Sequence, residues 1–177
     1  KSGGDFTSVQ AAIDSITDAT ADTAYLVWVA PGMYEEQVTI KPHVHLQGAG
    51  QEATIISSTV GGESFPPTYG TLVLTRNTSL RDLTVGNSGT LTECITLLVP
   101  AGVTETLVAD VSARAQGYAD ENYAHHAMGI GSGYINLTLQ NVNALAENAT
   151  DRNVGLGYYD PWTLWLRGCT FGARGGD

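Results

Sequence analysis

Seven tyrosine and tryptophan side chains fall between residues 118 and 165: Tyr118, Tyr123, Tyr134, Tyr158, Tyr159, Trp162 and Trp165. Sugar rings dock on aromatic faces, so a surface that lines these rings up would bind a glycan, with ordinary packing of corners and loops as the alternative. Trp165 stands between Leu164 and Leu166, and if those leucines are core it faces out. His43 and His45 would present two ring nitrogens on one strand face, the beginning of a metal site. No carboxylate or third histidine stands beside them, so a solvated strand face is the expected role. His125 and His126 would point to opposite faces if extended, so at most one serves a site, and both read as loop residues. Cys94 and Cys169 are too few for a disulfide framework and too far apart for a metal or redox motif, which leaves two separate thiols. Asp110, Asp120, Glu121 and Asp151 could gather calcium, yet neither an EF-hand nor a nonapeptide calcium repeat is present. No metal and no cofactor is expected. Asn77, Asn136 and Asn148 each open a glycosylation acceptor pattern, which matters only on a eukaryotic secretory route.

Composition narrows the partners. The 177 residues carry 8 basic and 18 acidic side chains, a net charge of −10, and Lys1 and Lys41 are the only lysines. Without a basic cluster the counterion release that drives nucleic-acid binding has no source, and anionic membranes are equally disfavoured. The longest apolar run, Tyr25 to Pro31, is far short of the roughly 20 residues that cross a bilayer. No membrane insertion is expected. The opening Lys-Ser-Gly-Gly is not a signal peptide, and the start reads as trimmed.

The elements that must position these residues are mostly strands. Only residues 7–16 read as helix, with Val9, Ala12, Ile13 and Ile16 at three- and four-residue spacing behind a Thr7 or Ser8 cap. Short strands follow at 25–30, 37–40, 44–47 and 54–57, and the 21 glycines suit many short strands joined by turns. A repeat runs through the rest. The phrases at 79–85, 106–112, 136–143 and 163–171 share an apolar, polar, Asp/Asn/Gly, apolar pattern, each preceded by a second strand-like piece at 71–75, 94–99, 127–131 or 154–158. Anchored on Asp82, Asp110, Asn141 and Gly168, the pattern recurs at a period of roughly 27 to 31 residues, and an insertion around 61–69 stretches the step from an earlier anchor at Gly48.

That period, with two or three strands per unit, predicts an all-β, single-stranded right-handed parallel β-helix, each coil about 4.8 Å above the last. The anchors are corners whose side-chain amides can bond between coils, and the helix at 7–16 plugs the apolar mouth. The expected organisation is one domain over residues 1–177, with about five coils of roughly 27–34 residues over 25–177. The other end has no plug, so a fragment of a longer solenoid, able to self-associate through its last coil, is expected.

These residues resemble the pectin-lyase-like superfamily and, in the amino-terminal half, pectin methylesterases. Gly4-Asp-Phe-Thr-Ser-Val-Gln-Ala-Ala-Ile13 looks like the family's capping helix, and Gly32, Tyr34 and Glu36 fit its Gly-x-Tyr-x-Glu element. Val44-His-Leu-Gln-Gly-Ala-Gly50 and Ala53-Thr-Ile-Ile56 follow in the same order. The resemblance implies three site positions. The family's Gln-Ala-Val-Ala-Leu element falls on Glu93-Cys-Ile-Thr-Leu97, putting Glu93 where an amide should stabilise an oxyanion. Its Gln-Asp-Thr element falls on Ala119-Asp-Glu121, so Asp120 matches the general acid while the amide is lost. Its Asp-Phe-Ile-Phe-Gly element falls on Asp151-Arg-Asn-Val-Gly155, so Asp151 matches the nucleophile. The family's arginine element has no counterpart, and Tyr159-Asp-Pro-Trp162 does not replace it. Residues 79–177 also resemble bacterial surface β-helix repeat proteins that iterate Leu-x-Asn-Val-x-Ala-x-Ala.

In such an esterase one carboxylate attacks the ester carbon while a neutral carboxyl donates a proton, and surroundings hold their pKa values apart. An ionised Glu93 would instead repel the developing oxyanion. Asp120 and Asp151 stand one repeat period apart, so stacking on successive coils is geometrically open, as are two solvated corner aspartates. The leading expectation is therefore a non-catalytic exported or surface β-helix with a structural or binding role, glycan-binding or self-assembling. The alternative is a carbohydrate esterase of the pectin methylesterase type, with Asp151 as nucleophile and Asp120 as acid. Net charge leans against an anionic polysaccharide at low salt.

Overall fold

The computed structural model describes residues 5–62, 69–90, 93–117, 124–148, 152–158 and 161–175, without the side chains of 134, 135, 152, 158, 161 and 162. Among them one helix, α1 (Val9–Ser15), precedes the strands β1 (Tyr25–Trp28), β2 (Gly32–Glu35), β3 (Val38–Thr39), β4 (Val44–Gln47) and β5 (Thr54–Ser58). The chain continues through β6 (Leu72–Val73), β7 (Ser79–Asn87), β8 (Cys94–Val99), β9 (Thr106–Ala115) and β10 (Ala124–Ile130). It ends in β11 (Gly133–Gln140), β12 (Asn143–Glu147), β13 (Arg152–Tyr158), β14 (Pro161–Arg167) and β15 (Thr170–Arg174).

All ladders between these strands are parallel, and they sort into three faces. Face one runs β1-β4-β7-β9-β11-β14 and face three β3-β6-β8-β10-β13. Face two runs β2-β5, the second halves of β7 and β9, then β12 and β15. The fold is a single-stranded right-handed parallel β-helix closed at its start by α1, the hand that parallel crossovers take.

Register decides which side chains meet. Alternation sends every second residue inward, and because the ladders are in register like residues stack from coil to coil. On face one the interior column is Leu46, Leu80, Val108, Leu139 and Leu166. On face two it is Tyr34, Ile56, Val85, Ala113, Ala144 and Phe171, and on face three Val38, Leu72, Leu97, Met128 and Leu156. Most of these are fully buried, though Leu166 in β14 is 52% exposed.

The corner between faces one and two is tight because one left-handed residue turns it. Asp82, Asp110, Asn141 and Gly168 have φ of 55°, 55°, 51° and 63° and stand above one another in the register. A left-handed residue other than glycine costs about 1–2 kcal/mol, least for Asp and Asn, whose short polar chains bond locally. Here those bonds run between coils: Asn141 Nδ2 donates to Asp110 Oδ1 at 2.9 Å and Gln47 Nε2 to Asp82 Oδ2 at 2.8 Å. Gly48 leads into the same corner, where a Cβ would stand 2.8 Å from Leu83 Cβ and 2.9 Å from Thr54 Cβ, so only glycine fits.

The plug is tied down by residues distant in sequence. Ser8 caps α1 by accepting from Ala11 N at 3.1 Å, and the Glu36 carboxylate, just after β2, accepts from Ser8 Oγ (2.7 Å), Val9 N (2.9 Å) and Gln10 N (3.0 Å). The Gln10 side chain accepts from Thr39 N at 2.7 Å, giving the open edge of β3 the partner that a preceding strand would provide. Lys41 Nζ donates to Asp14 O (3.0 Å) and Ile16 O (2.9 Å), answering carbonyls at the other helix end.

Several expectations are corrected. The helix spans Val9–Ser15, shorter than 7–16 because Ser8 is its cap and Ile16 is already extended. Gly32–Glu35 is a strand, paired to β5, where the sequence pattern shows only a family element. His43 lies outside β4 in a left-handed turn (φ 62°), so it does not share a strand face with His45, whose Nδ1 stands 3.0 Å from Ser79 Oγ. His125 and His126 lie in β10, both buried, because the strand begins three residues before the 127–131 segment read from the sequence.

Replacing Glu36 by Ala strands three donors at once, and hydrogen bonds to charged groups are worth about 1.5–3 kcal/mol. Glu36→Ala is expected to lower the urea unfolding free energy by about 2–3 kcal/mol at unchanged m, whereas Glu35→Ala, exposed on the adjacent position, stays within about 0.5 kcal/mol. At the corner, Asp110→Ala should cost about 1–2 kcal/mol and Asp110→Asn much less, read from the same denaturation curves.

Candidate active site

The three faces meet at corners of very different freedom. From Arg81, Ala109, Gln140 and Arg167 on face one to Thr84, Ser112, Asn143 and Thr170 on face two the chain advances by the same short step in four successive coils, while the two earlier coils take longer steps, from Trp28 to Met33 and from Gln47 to Ile55. From Ser58, Asn87, Ala115 and Ala146 on face two to Leu72, Leu97, Met128 and Leu156 on face three the step varies and is longer in each of these coils, although the first coil crosses directly from Glu36 to Val38. The second corner therefore carries the variable segments, which is where a rigid scaffold places function.

Its base is organised by a buried amide. Asn87, 2% exposed, donates through Nδ2 to Val60 O (2.9 Å) and Ile95 O (3.2 Å) and accepts from Gly89 N (2.9 Å). Above it, Gln116 Nε2 donates to Glu147 Oε1 at 2.5 Å, bridging successive coils. The strands of face three start from this corner in two rows, Cys94–His125–Asn153 and Ile95–His126–Val154.

Glu93 begins this edge. An isolated antiparallel bridge to Gly62 fixes its backbone, with Gly62 N donating to Glu93 O at 3.1 Å, and its Oε1 lies 3.1 Å from His126 Nε2. The neighbouring Cys94 thiol is pushed up to about 11 by burial and by the Glu93 charge, so it is no nucleophile at neutral pH. His125 is fully buried, and among the described residues neither ring nitrogen has a hydrogen-bond partner of good geometry. Burial lowers its pKa, the Glu147 backbone opposing and the His126 ring adding to the shift.

Of the residues picked from the sequence, Glu93 is at this corner; Trp165 is 64% exposed on face one, but its neighbour Leu166 is 52% exposed as well, so the condition that both flanking leucines are core is not met. Asp120, Asp151, Tyr118, Tyr123 and Tyr159 lie outside the described residues, and Tyr158 and Trp162 are described in backbone alone. The segments that hold the aspartates join described chain at the same corner, between Gly117 and Ala124 and between Asn148 and Arg152. The sequence reading missed His126. Its signal was the step from Ile95, equal to the step that separates Asp110 from Asn141. Cys94 and Cys169 are free thiols, and no metal-binding cluster exists among the described residues.

The right-handed parallel β-helix, together with the family match, places the chain among the pectin-lyase-like proteins. The family model for pectinesterase matches residues 1–129, and the chain belongs to the pectinesterase family. No curated protein matches it. Among solved structures it is similar to a pectin methylesterase from Yersinia enterocolitica, at 18% identity and a TM-score of 0.61, covering 96% of this chain and 66% of that one. The pectin methylesterase PemA from Erwinia chrysanthemi aligns at 15% identity and a TM-score of 0.53, covering 86% of this chain and 63% of that one. ORF18 of Geobacillus virus E2 shares the fold at 18% identity and a TM-score of 0.54, covering 92% of this chain and 38% of that one. The chain thus spans slightly less than two thirds of the length of these pectin methylesterases. The family match overturns the expectation of a non-catalytic structural or binding domain: a family of ester hydrolases accounts for residues 1–129, which include Glu93 and Asp120, while Asp151 lies beyond the match. Among the described residues no helix is long and apolar enough to cross a membrane.

Because the folded-state pKa of His125 lies below its unfolded value near 6.5, the unfolded chain binds the extra proton first on acidification. The stability contributed by the neutral buried ring is complete above about pH 6.5 and is lost as pH falls through the folded value. His125→Val is expected to flatten the fall in unfolding free energy between about pH 7 and 5, measured by urea denaturation at each pH; an unchanged slope would refute it.

Proposed function

We propose that this protein is a carbohydrate esterase of the pectin methylesterase type, exported to act on a methyl-esterified acidic polysaccharide. Membership of the pectinesterase family, through a match that covers the Glu93 and Asp120 positions, carries this reading. The entry of both aspartate-bearing segments at the variable corner supports it.

In this reading an Asp151 carboxylate oxygen attacks the carbonyl carbon of the methyl ester. The tetrahedral oxyanion collapses, the carbon–methoxy bond breaks, and methanol leaves with the proton of a neutral Asp120. The acyl group is left on Asp151 as an anhydride. Water, deprotonated by Asp120, attacks that carbonyl, freeing the polysaccharide carboxylate, restoring Asp151 and leaving the proton on Asp120.

Methanol release from highly methyl-esterified pectin tests the chemistry. Asp151→Asn should cut kcat by at least about 10³-fold in a protein of unchanged thermal midpoint, and equal rates in wild type and variant would remove Asp151 from the mechanism. The net charge of −10 adds a second expectation. Raising sodium chloride from about 10 to 150 mM shortens the screening length from about 30 to 8 Å. The rate on partly de-esterified pectin should therefore rise with salt more than the rate on the fully esterified polymer, and a parallel response of both would count against long-range repulsion.

A further inference from the structure

At the far end of face three, away from the variable corner, three basic side chains share one pocket. Lys41, His43 and Arg76 line an open depression of about 420 Å³ between the corner that leads into face one and the segment that follows α1. None of its lining residues is acidic, in a chain where 18 acidic side chains outnumber 8 basic ones. Strands of face three start at the variable corner and end at this one, and the six residues of β8 put about 20 Å between the two.

The three groups are not equivalent. Lys41 Nζ is committed to the end of α1, donating to Asp14 O (3.0 Å) and Ile16 O (2.9 Å) with the Asp14 carboxylate 3.9 Å away, so it fixes a wall and leaves little charge free. Arg76 is exposed, and among the described residues neither its guanidinium nor the His43 ring makes a hydrogen bond or ion pair. The backbone holds His43 instead. It turns into β4 in the left-handed region (φ 62°) with its carbonyl accepting from Tyr25 N at 3.0 Å, and Asn77, next to Arg76, is left-handed as well (φ 55°). The segment after α1 contributes Thr17 and Thr20 to the pocket. Thr20 Oγ1 accepts from Thr23 N at 3.2 Å, which leaves its own proton to donate. Asp18 is engaged elsewhere, accepting from Tyr25 Oη at 2.9 Å.

We propose that this pocket binds a free carboxylate of an acidic saccharide, with Arg76 as its anchor and the His43 ring and the threonine hydroxyls as neighbouring polar contacts. A guanidinium presents a planar fork of donors that meets a carboxylate in two bonds. At about 420 Å³ the space suits a small organic ligand rather than a bare ion. The preference for an anion comes from the pocket itself, while the choice of a uronate rests on the esterase reading above, whose product carries such carboxylates. On a chain of net charge −10 an acidic product is repelled by most of the surface, and a free guanidinium with no acidic side chain in its pocket is a place where it can be held. De-esterified polymer is then retained beside the enzyme without occupying the variable corner.

An NMR titration of the intact chain with trigalacturonic acid locates the binding directly. Amide resonances of Thr17, Thr20 and His43 should shift along one saturation curve. Arg76→Ala should weaken the dissociation constant read from them by at least about 10-fold at an unchanged thermal midpoint, since the side chain is exposed and supports nothing else. Arg76→Lys, which keeps the charge and loses the fork, should fall between the two. Neutral galactotriose, which lacks the carboxylates, should leave these resonances in place. Shifts confined to the variable corner, an Arg76→Ala variant that binds as wild type does, or galactotriose that binds equally tightly would each overturn the proposal. Inorganic phosphate giving the same shifts at the same concentration would reveal a bare oxyanion site and overturn the saccharide assignment. Because binding is read without turnover, protein that takes up trigalacturonic acid here yet releases no methanol from pectin would overturn the esterase reading and leave this site standing.

Discussion

Each coil of this molecule has to return to its starting point one strand spacing higher, about 4.8 Å, with every ladder in register. That closure condition governs the interior, the corners and the site alike. Interior residues must recur at the same height, so Leu46, Leu80, Val108, Leu139 and Leu166 form one column although the sequence steps between them are unequal. Where the chain turns in a single residue, that residue must be left-handed, and Asp82, Asp110, Asn141 and Gly168 meet the demand with small or locally bonding side chains. Unequal steps are absorbed elsewhere, chiefly between faces two and three.

The site grows from that division of labour. A corner whose backbone repeats unchanged through the four later coils has little freedom to carry chemistry, whereas one whose length varies among those coils can present different segments above a fixed sheet. Glu93, His125, His126 and the flanks of both aspartate-bearing segments gather there. Burial also sorts the histidines: His125, fully buried, is held toward its neutral form, while His126 meets a carboxylate. Adjacent residues in one strand take opposite electrostatic roles because alternation sends them to different environments.

The start of the solenoid obeys the same closure condition from the other side. A first coil has no coil beneath it, so its backbone groups and apolar interior need substitutes. The Gln10 side chain supplies one to β3 and α1 covers the interior with Val9 and Ile13, while Glu36 and Lys41 from the first coil satisfy the two helix ends. Plug and coil thus stabilise each other, which explains why so short a helix is formed at all.

The repeat, the corner anchors and the strand faces were legible in the amino-acid sequence because each depends on local chemistry: alternation with period two, and the tolerance of Asp, Asn and Gly for a left-handed turn. The family resemblance was legible too, in the capping helix and the Gly32-x-Tyr34-x-Glu36 element, and the ester-cleaving alternative was already contained in it. The sequence pointed away from that alternative because Glu93, taken alone, opposes an oxyanion. Only the tertiary structure brought His126 to Glu93, and only it showed that Glu36 caps a helix more than a full strand-and-turn earlier in the chain. Such contacts depend on how far each unequal corner advances the register, and a slip of one residue would turn His126 to the other side of the sheet. Local propensity sets what each residue can do; the closure of the coil decides what it meets.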